Sequence, residues 1–222
     1  SEEIDFDHNI PLFPVFVGAG ILGSGTGDVV ATLPPDLQLN DILLLFVETA
    51  NEVAATPSGW TIVADSPQGT GTAGSATSTR ISVFWRRVAG AITAPTITDP
   101  GDHAVARIYS FRGCIATGDP WDVTAGDTGA SDTAVSIPGD TTTVVNTLVV
   151  QAVANQTDSD LPQASAYANA ALANITELDD FNRSIGNGGG FAVITGEKAT
   201  AGAFGATTAT LANASVQGRI TI

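Results

Sequence analysis

Short runs of β-branched and aromatic residues, separated by clusters of Gly, Pro, Asp, Asn, Ser and Thr, recur from residue 28 to the C-terminus. Few stretches show helical spacing of apolar residues, so the pattern is typical of an all-β chain. The predicted strands are residues 28–33, 42–49, 60–64, 79–88, 96–97, 104–111, 132–137, 147–154, 191–197, 207–211 and 216–222. Their spacing favours a two-sheet antiparallel β-sandwich. Residues 164–174 are rich in good helix formers and are compatible with a short surface helix.

The two halves of the chain echo one another. Asn40 with residues 42–47 resembles Asn146 with residues 148–153, at an offset of 106 residues. A second echo, at an offset of 111, relates Val105, Tyr109 and Phe111 to Val216, Ile220 and Ile222. We therefore expect a single sandwich over residues 28–222, built from two related halves of about 28–113 and 132–222. The predicted topology is of jelly-roll type, in which strands from both halves contribute to each sheet.

Residues 1–27 differ from the remainder in composition. An acidic opening with scattered apolar residues leads into the apolar residues 12–17 and then into the glycine-rich residues 18–27. Pro11 and Pro14 favour extended backbone and oppose a central strand. We therefore expect an extended N-terminal arm that lies against a partner. Its predicted anchors are Phe6, Ile10, Leu12, Phe13, Phe16 and Val17.

Charge and composition exclude several classes of function. The net charge is −15, and the eight Lys and Arg residues are too few for a basic face, so nucleic acid and anionic membranes are poor partners. The longest apolar run is far shorter than a membrane span, and residues 1–20 lack the basic start of a signal peptide. Ser1 is typical of a chain trimmed of its initiator methionine. We expect a complete polypeptide made in the cytoplasm, with its sole cysteine, Cys114, as a small core residue.

Two glycine-rich segments have the appearance of ligand-binding loops. Residues 18–23 satisfy the glycine pattern of a dinucleotide-binding turn, but a flexible loop follows where the fold needs a helix. Residues 186–190 lack the Lys-Ser or Lys-Thr of a phosphate-binding loop. We expect a mobile connection at residues 186–190 and no nucleotide at either segment.

The residues capable of catalysis or metal binding form no recognisable set. His8 and His103 are the only histidines, and His103, near Asp99 and Asp102, is interpreted as a solvated loop residue. No spacing selects a glycosidase pair among Glu48, Glu52, Glu177 and Glu197. We expect most of these carboxylates to be exposed and Trp60 and Trp85 to lie in the core. We expect the aspartates in the loop-rich segments to form hydrogen bonds in turns, and calcium binding is the alternative role for them. They are Asp119, Asp122, Asp127, Asp132, Asp158, Asp160, Asp179 and Asp180. We expect no enzyme activity, catalytic residue, cofactor or metal.

A set of structural motifs resembles a known module. The segments are residues 39–47, the Thr-Pro-Ser-Gly-Trp-Thr-Ile of 56–62, residues 82–89, 109–113 and 120–122, and the stretch 137–150 that opens the second half. Together they resemble a β-sandwich module of phage virions and prophages, found in tail-fibre, adhesin and capsid-surface proteins. The likeness spans about residues 28–222 and carries over no catalytic residue. It departs in the second half, where residues 161–162 and 171–176 replace the Pro-Ser-Gly-Trp signature.

The resemblance implies a virion structural protein. A single short unit with an apolar arm favours a capsid decoration or cement protein, which binds the outer capsid surface and stabilises the shell. The expected partner is the major capsid protein or another virion protein, and the expected assembly is a homotrimer. The alternative is a tail or fibre module that binds a host glycan or receptor through Trp121 and Asp122 or through residues 186–190.

Overall fold

The computed structural model describes residues 13–222, and every regular element within them is a β-strand. The strands are β1 (Val15–Ala19), β2 (Gly23–Gly25), β3 (Val29–Val30), β4 (Ile42–Thr49), β5 (Thr61–Ile62), β6 (Gln68–Thr70), β7 (Thr79–Arg87), β8 (Thr96–Ile97), β9 (Ala104–Arg112), β10 (Ala125–Ile137), β11 (Thr141–Thr142), β12 (Thr147–Asn155), β13 (Ala164–Ala168), β14 (Ala173–Arg183), β15 (Gly189–Lys198), β16 (Gly202–Ala203) and β17 (Thr207–Thr221). The predicted all-β, two-sheet antiparallel sandwich is confirmed.

Each half of the chain forms one sheet. The first sheet has the order β1-β9-β4-β7-β5, with β2 also on β9 and β6 also on β7. The second has the order β10-β17-β12-β15-β14, with β13 also on β17. Two short ribbons, β3 with β8 and β11 with β16, accompany the sheets. All eight residues of β4 are buried, because both faces of its sheet are covered.

The halves are related in detail. In each half, a central strand (β4 or β12) lies between two long antiparallel neighbours. In each half, a two-stranded ribbon also pairs a segment that precedes the central strand with a segment that follows its neighbour β7 or β15. Asn40 and Asn146, which precede the central strands, both adopt left-handed backbone with φ of 69° and 58°. Their backbone N–H groups donate to the carbonyls of Val88 at 2.8 Å and Ala199 at 3.1 Å, each just past the neighbouring strand. Among residues 13–222, no strand of one half joins the main sheet of the other, so the strand exchange that defines the predicted jelly roll is absent there. Local antiparallel pairing completes each sheet within its own half.

The sheets pack face to face around a central core. Phe46 and Tyr109 of the first sheet contact one another edge to face at 5.5 Å, and Phe46 stacks on Phe191 of the second sheet at 6.1 Å. Behind the first sheet, Trp60 and Phe84 occupy a second apolar cluster. Trp60 is buried, as predicted. A third cluster, which includes Val153, Ile194 and Leu211, covers the back of the second sheet.

Two segments differ from the simplest expectation. The helix suggested over residues 164–174 is wrong: β13 occupies the first part, where Ala164 pairs with Leu211 of β17. Pairing with another strand here overrides the helix propensity of the alanines. Within the predicted arm, β1 and β2 lie antiparallel on β9 at the edge of the first sheet. None of the described residues forms a helix of the length and apolar character that a membrane crossing requires.

Candidate functional site

An apolar cleft of about 490 Å³ opens between the sheets at one end of the sandwich. This is the end at which β4 and β12 begin, and Ile42 and Leu148 from these strands line it. Phe111 of β9 and the C-terminal Ile222 complete the walls from the two sheets. A volume of this size falls in the range of sites that bind small ligands or anchoring side chains.

The mouth of the cleft carries exposed apolar residues. Ile115, Val144 and Val145 line it with relative exposures of 59%, 52% and 60%. Trp121 also lines the cleft and packs edge to face on Trp85, with ring centroids 5.7 Å apart. The mouth of the cleft is therefore an exposed apolar patch on a chain of net charge −15, and patches of this kind are common at protein interaction sites.

Cys114 lies on the cleft wall. Burial raises the pKa of this thiol to about 11, against a smaller opposing effect of the Arg87 charge. The thiol is therefore protonated at neutral pH and lacks the thiolate character of a catalytic nucleophile. The cleft offers apolar contact rather than covalent chemistry.

The predicted arm anchors fall into three groups. Phe13 lines the cleft, together with Pro14. Phe16 is 38% exposed on β1, with its ring 6.3 Å from that of Tyr109 and 5.9 Å from that of Phe111, while Val17 is half-buried on the same strand. The remaining anchors, Phe6, Ile10 and Leu12, lie outside the described residues.

A buried charge cluster occupies the opposite end of the sandwich. His103 is fully buried, with Nδ1 2.8 Å from a carboxylate oxygen of Asp102 and Nε2 3.0 Å from one of Glu48. The hydroxyl of Thr79 donates to the other oxygen of Glu48 at 2.8 Å. The interpretation of His103 as a solvated loop residue is wrong, because two carboxylates from separate segments enclose its ring. Glu48 is also fully buried, and so it is not one of the exposed carboxylates expected among the four glutamates.

The electrostatics of the cluster favour an imidazolium. Burial lowers the pKa of His103, but hydrogen bonds and charge from Glu48 and Asp102 outweigh it and raise that pKa to about 9. Burial raises the pKa of Glu48, and the neighbouring His103 opposes that rise. With both ring nitrogens bonded to carboxylates, His103 has no position left to take a proton from a nucleophile. The cluster is suited to holding structure together rather than to hydrolysis.

The charge cluster also joins the two halves. Asp102 accepts a hydrogen bond at 2.6 Å from the backbone N–H of Asn187, in the glycine-rich loop of the second half. A Cβ at Gly189 would lie 2.6 Å from both carboxylate oxygens of Glu48, so glycine permits this approach. Asn187 is further fixed by its side-chain donation to the carbonyl of Gly74 at 2.8 Å. Residues 186–190 are therefore a packed contact between the halves, where sequence reasoning expected a mobile connection.

The remaining candidate carboxylates do not converge. Glu52 accepts the N–H of Asp102 near the charge cluster, whereas Glu197 lies beside Leu148 at the cleft end and accepts from Asn174 at 2.7 Å. Asp132 accepts the backbone N–H of Ala134 two residues along the chain, a local hydrogen bond of the kind that turn aspartates make. Asp122 and Asp160 instead accept from Thr143 and Ser184, which are 21 and 24 residues away. Within residues 13–222, no group of three or more His, Cys, Asp and Glu side chains is placed to hold a metal ion.

Comparisons of this chain with protein-family models, with curated protein sequences and with solved structures find no match.

Proposed function

We propose that this chain is a non-enzymatic structural protein of a phage virion, a decoration or cement protein that binds the outer capsid surface and stabilises the shell. The observation that carries the proposal is the apolar cleft with its exposed rim of Ile115, Val144 and Val145. A surface of this kind gains free energy when a partner covers it. The sequence motifs of a virion β-sandwich module support the same assignment.

The net charge is compatible with docking through an apolar end. The net charge of −15 keeps the body of the protein soluble and free of non-specific adhesion, even when many copies are arrayed on a shell. The apolar end then provides the specific contact. The partner is the major capsid protein, and the protein docks as a homotrimer at sites of threefold symmetry.

The edge of the first sheet adds a second mode of attachment. β1 is the last strand of its sheet, and no strand of the described residues pairs with its outer edge. Val15 and Phe16 on this strand are each 38% exposed. An extended segment of a capsid subunit can add to such an edge through backbone hydrogen bonds while its side chains cover the apolar groups.

The test is co-sedimentation of the purified protein with empty capsids of the same virus. Val144→Asp places a charge in the docking surface and should weaken capsid binding by roughly tenfold or more, since burial of an unpaired charge is costly. Val30→Asp is the matched control, because Val30 is also 52% exposed but lies on the β3 ribbon away from the cleft. It should bind capsids normally.

Two results would contradict the proposal. Equal capsid binding by both variants would remove the cleft end from the interface. Absence of capsid binding by the unaltered protein, together with adsorption to host cells that depends on Trp121 or on residues 186–190, would establish the alternative of a tail or fibre module.

A further inference from the structure

Asn187 and Gly188 form the only Asn-Gly pair in the chain. An asparagine that precedes glycine readily loses its side-chain amide, because glycine has no side chain to hinder ring closure. In this reaction the backbone nitrogen of Gly188 loses its proton and attacks Cγ of Asn187, so that a C–N bond forms in a cyclic succinimide and the side-chain nitrogen leaves as ammonia. Water then opens the ring and gives aspartate or isoaspartate at position 187.

The packing of the loop at residues 186–190 requires both members of this pair. Gly188 has left-handed backbone with φ of 76°, and a Cβ at this position would lie 2.3 Å from Cα of Asp158. Asn187 donates its backbone N–H to Asp102 at 2.6 Å and its side-chain amide to the carbonyl of Gly74 at 2.8 Å. The chemically labile pair is therefore part of the contact between the two halves.

The folded loop opposes ring closure at both reacting groups. The N–H of Gly188 donates to the carbonyl of Ile185 at 2.9 Å, and Gly188 is buried, so the proton that must leave is bonded and shielded from solvent base. The hydrogen bond to Gly74 fixes the carboxamide of Asn187 and restricts the rotation that ring closure requires. The reaction therefore requires the loop to open first.

We propose that Asn187 is a site of irreversible deamidation gated by the contact between the halves: the amide is lost only when the 186–190 loop opens, and its loss prevents the loop from closing again. A carboxylate at position 187 would face the carbonyl oxygen of Gly74, to which the amide had donated, and would add a negative charge beside Asp102. The inference does not depend on capsid binding, since it concerns the chemical lifetime of the folded sandwich itself.

The experiment incubates the folded full-length protein at mildly alkaline pH and follows the amide of Asn187 by mass spectrometry of the peptide that contains it. The same chain unfolded in guanidinium chloride gives the ungated rate. The folded protein should react at least about a hundredfold more slowly, since only the open fraction reacts.

Two matched variants locate the gate. Asp102→Ala removes the acceptor of the Asn187 N–H and should accelerate deamidation in the folded protein by about tenfold or more. The control Asp160→Ala removes hydrogen bonds to Ser184, just before the same loop, and should change the rate by less than about threefold. Equal rates in the two variants would overturn the proposal, as would a folded protein that reacts as fast as the unfolded chain.

Loss of Asp102 also removes a partner of His103, so unfolding of the whole sandwich must be separated from opening of the loop. Urea unfolding of Asp102→Ala gives the fraction of unfolded molecules. The rate in this variant should exceed the product of that fraction and the rate of the unfolded chain. A rate equal to the product would assign the reaction to global unfolding and overturn gating by the loop.

The consequence of the reaction is tested with Asn187→Asp, which reproduces the aspartate product, and Asn187→Ala, which removes the same donor without adding a charge. Hydrogen exchange of the amides at residues 186–190 should be about threefold or more faster in Asn187→Asp than in Asn187→Ala, because the new charge repels Asp102. Equal exchange in the two variants would overturn the claim that the product keeps the loop open.

Discussion

Replacement of His103 by alanine should destabilise the protein strongly, because it leaves a buried carboxylate without its partner. Glu48 and His103 are both fully buried and 3.0 Å apart. Removing one member of a buried ion pair typically costs about 3–5 kcal/mol, far more than the net contribution of the intact pair. With a urea m-value of about 3 kcal/mol/M for a chain of this size, the unfolding midpoint should fall by about 1–2 M.

The pH dependence of this effect is a sharper test. The pKa of His103 is raised to about 9, so the folded state binds the proton more tightly than the unfolded state, whose pKa is near 6.5. Its contribution is fully present below pH 6.5, is lost as pH rises through about 9, and amounts to roughly 3 kcal/mol. The variant lacks this decline. Without the imidazolium, the pKa of Glu48 should rise further, so the variant loses stability as pH rises from about 4.5.

The assay is urea unfolding followed by tryptophan fluorescence between pH 4 and pH 10. The difference between the unaltered protein and His103→Ala should be greatest near pH 7 and should shrink toward both limits. His8→Ala, which changes the other histidine, should leave the profile unaltered. The reasoning would be refuted if the free energy of unfolding of His103→Ala at pH 7 lay within about 1 kcal/mol of that of the unaltered protein and showed the same pH profile. Such a loss is smaller than the cost of breaking a buried ion pair.

Two further predictions concern contacts elsewhere in the fold. Gly139→Ala should cost about 3 kcal/mol of stability, because the new Cβ would lie 1.7 Å from the carbonyl oxygen of Gly205. Scanning calorimetry should show a Tm lower by roughly 6–12 °C. The control Gly27→Ala, which has open space around the new Cβ, should have a Tm within about 2 °C of that of the unaltered protein. Arg107 of the first sheet and Asp179 of the second form an ion pair with a nitrogen–oxygen distance of 2.9 Å. A double-mutant cycle to alanine, measured by urea unfolding, should give a coupling energy of about 1–2 kcal/mol. A coupling energy near zero would show that this ion pair does not stabilise the sandwich.

The strand that is buried on both faces, β4, was located best. The predicted bounds 42–49 match it, since its continuous apolar run ends at clear turn residues. The predicted bounds 96–97 also match β8, a two-residue strand in which Thr96 is exposed and Ile97 is buried. The edge strand β14 was missed because its sequence is rich in acidic and amide residues, and its place is set by pairing with β15. The predicted break at residues 212–215 is also absent: β17 runs unbroken from Thr207 to Thr221.

The functional surfaces were harder to predict because they join distant parts of the chain. The cleft brings residues near position 13 together with residues near 114, 145 and 222. No local sequence pattern indicates that these segments are in contact. His103 lies in a segment rich in Asp and Gly, which usually indicates solvent exposure. The available signal was Glu48, an ionisable residue within an otherwise apolar strand, which requires a buried partner.

The most direct test of the proposed function is immunogold labelling of intact virus particles with an antibody to this protein, viewed by electron microscopy. The proposal predicts gold distributed over the whole head, at many sites per particle. Gold confined to the tail or its fibres, or absent from intact particles, would contradict capsid decoration.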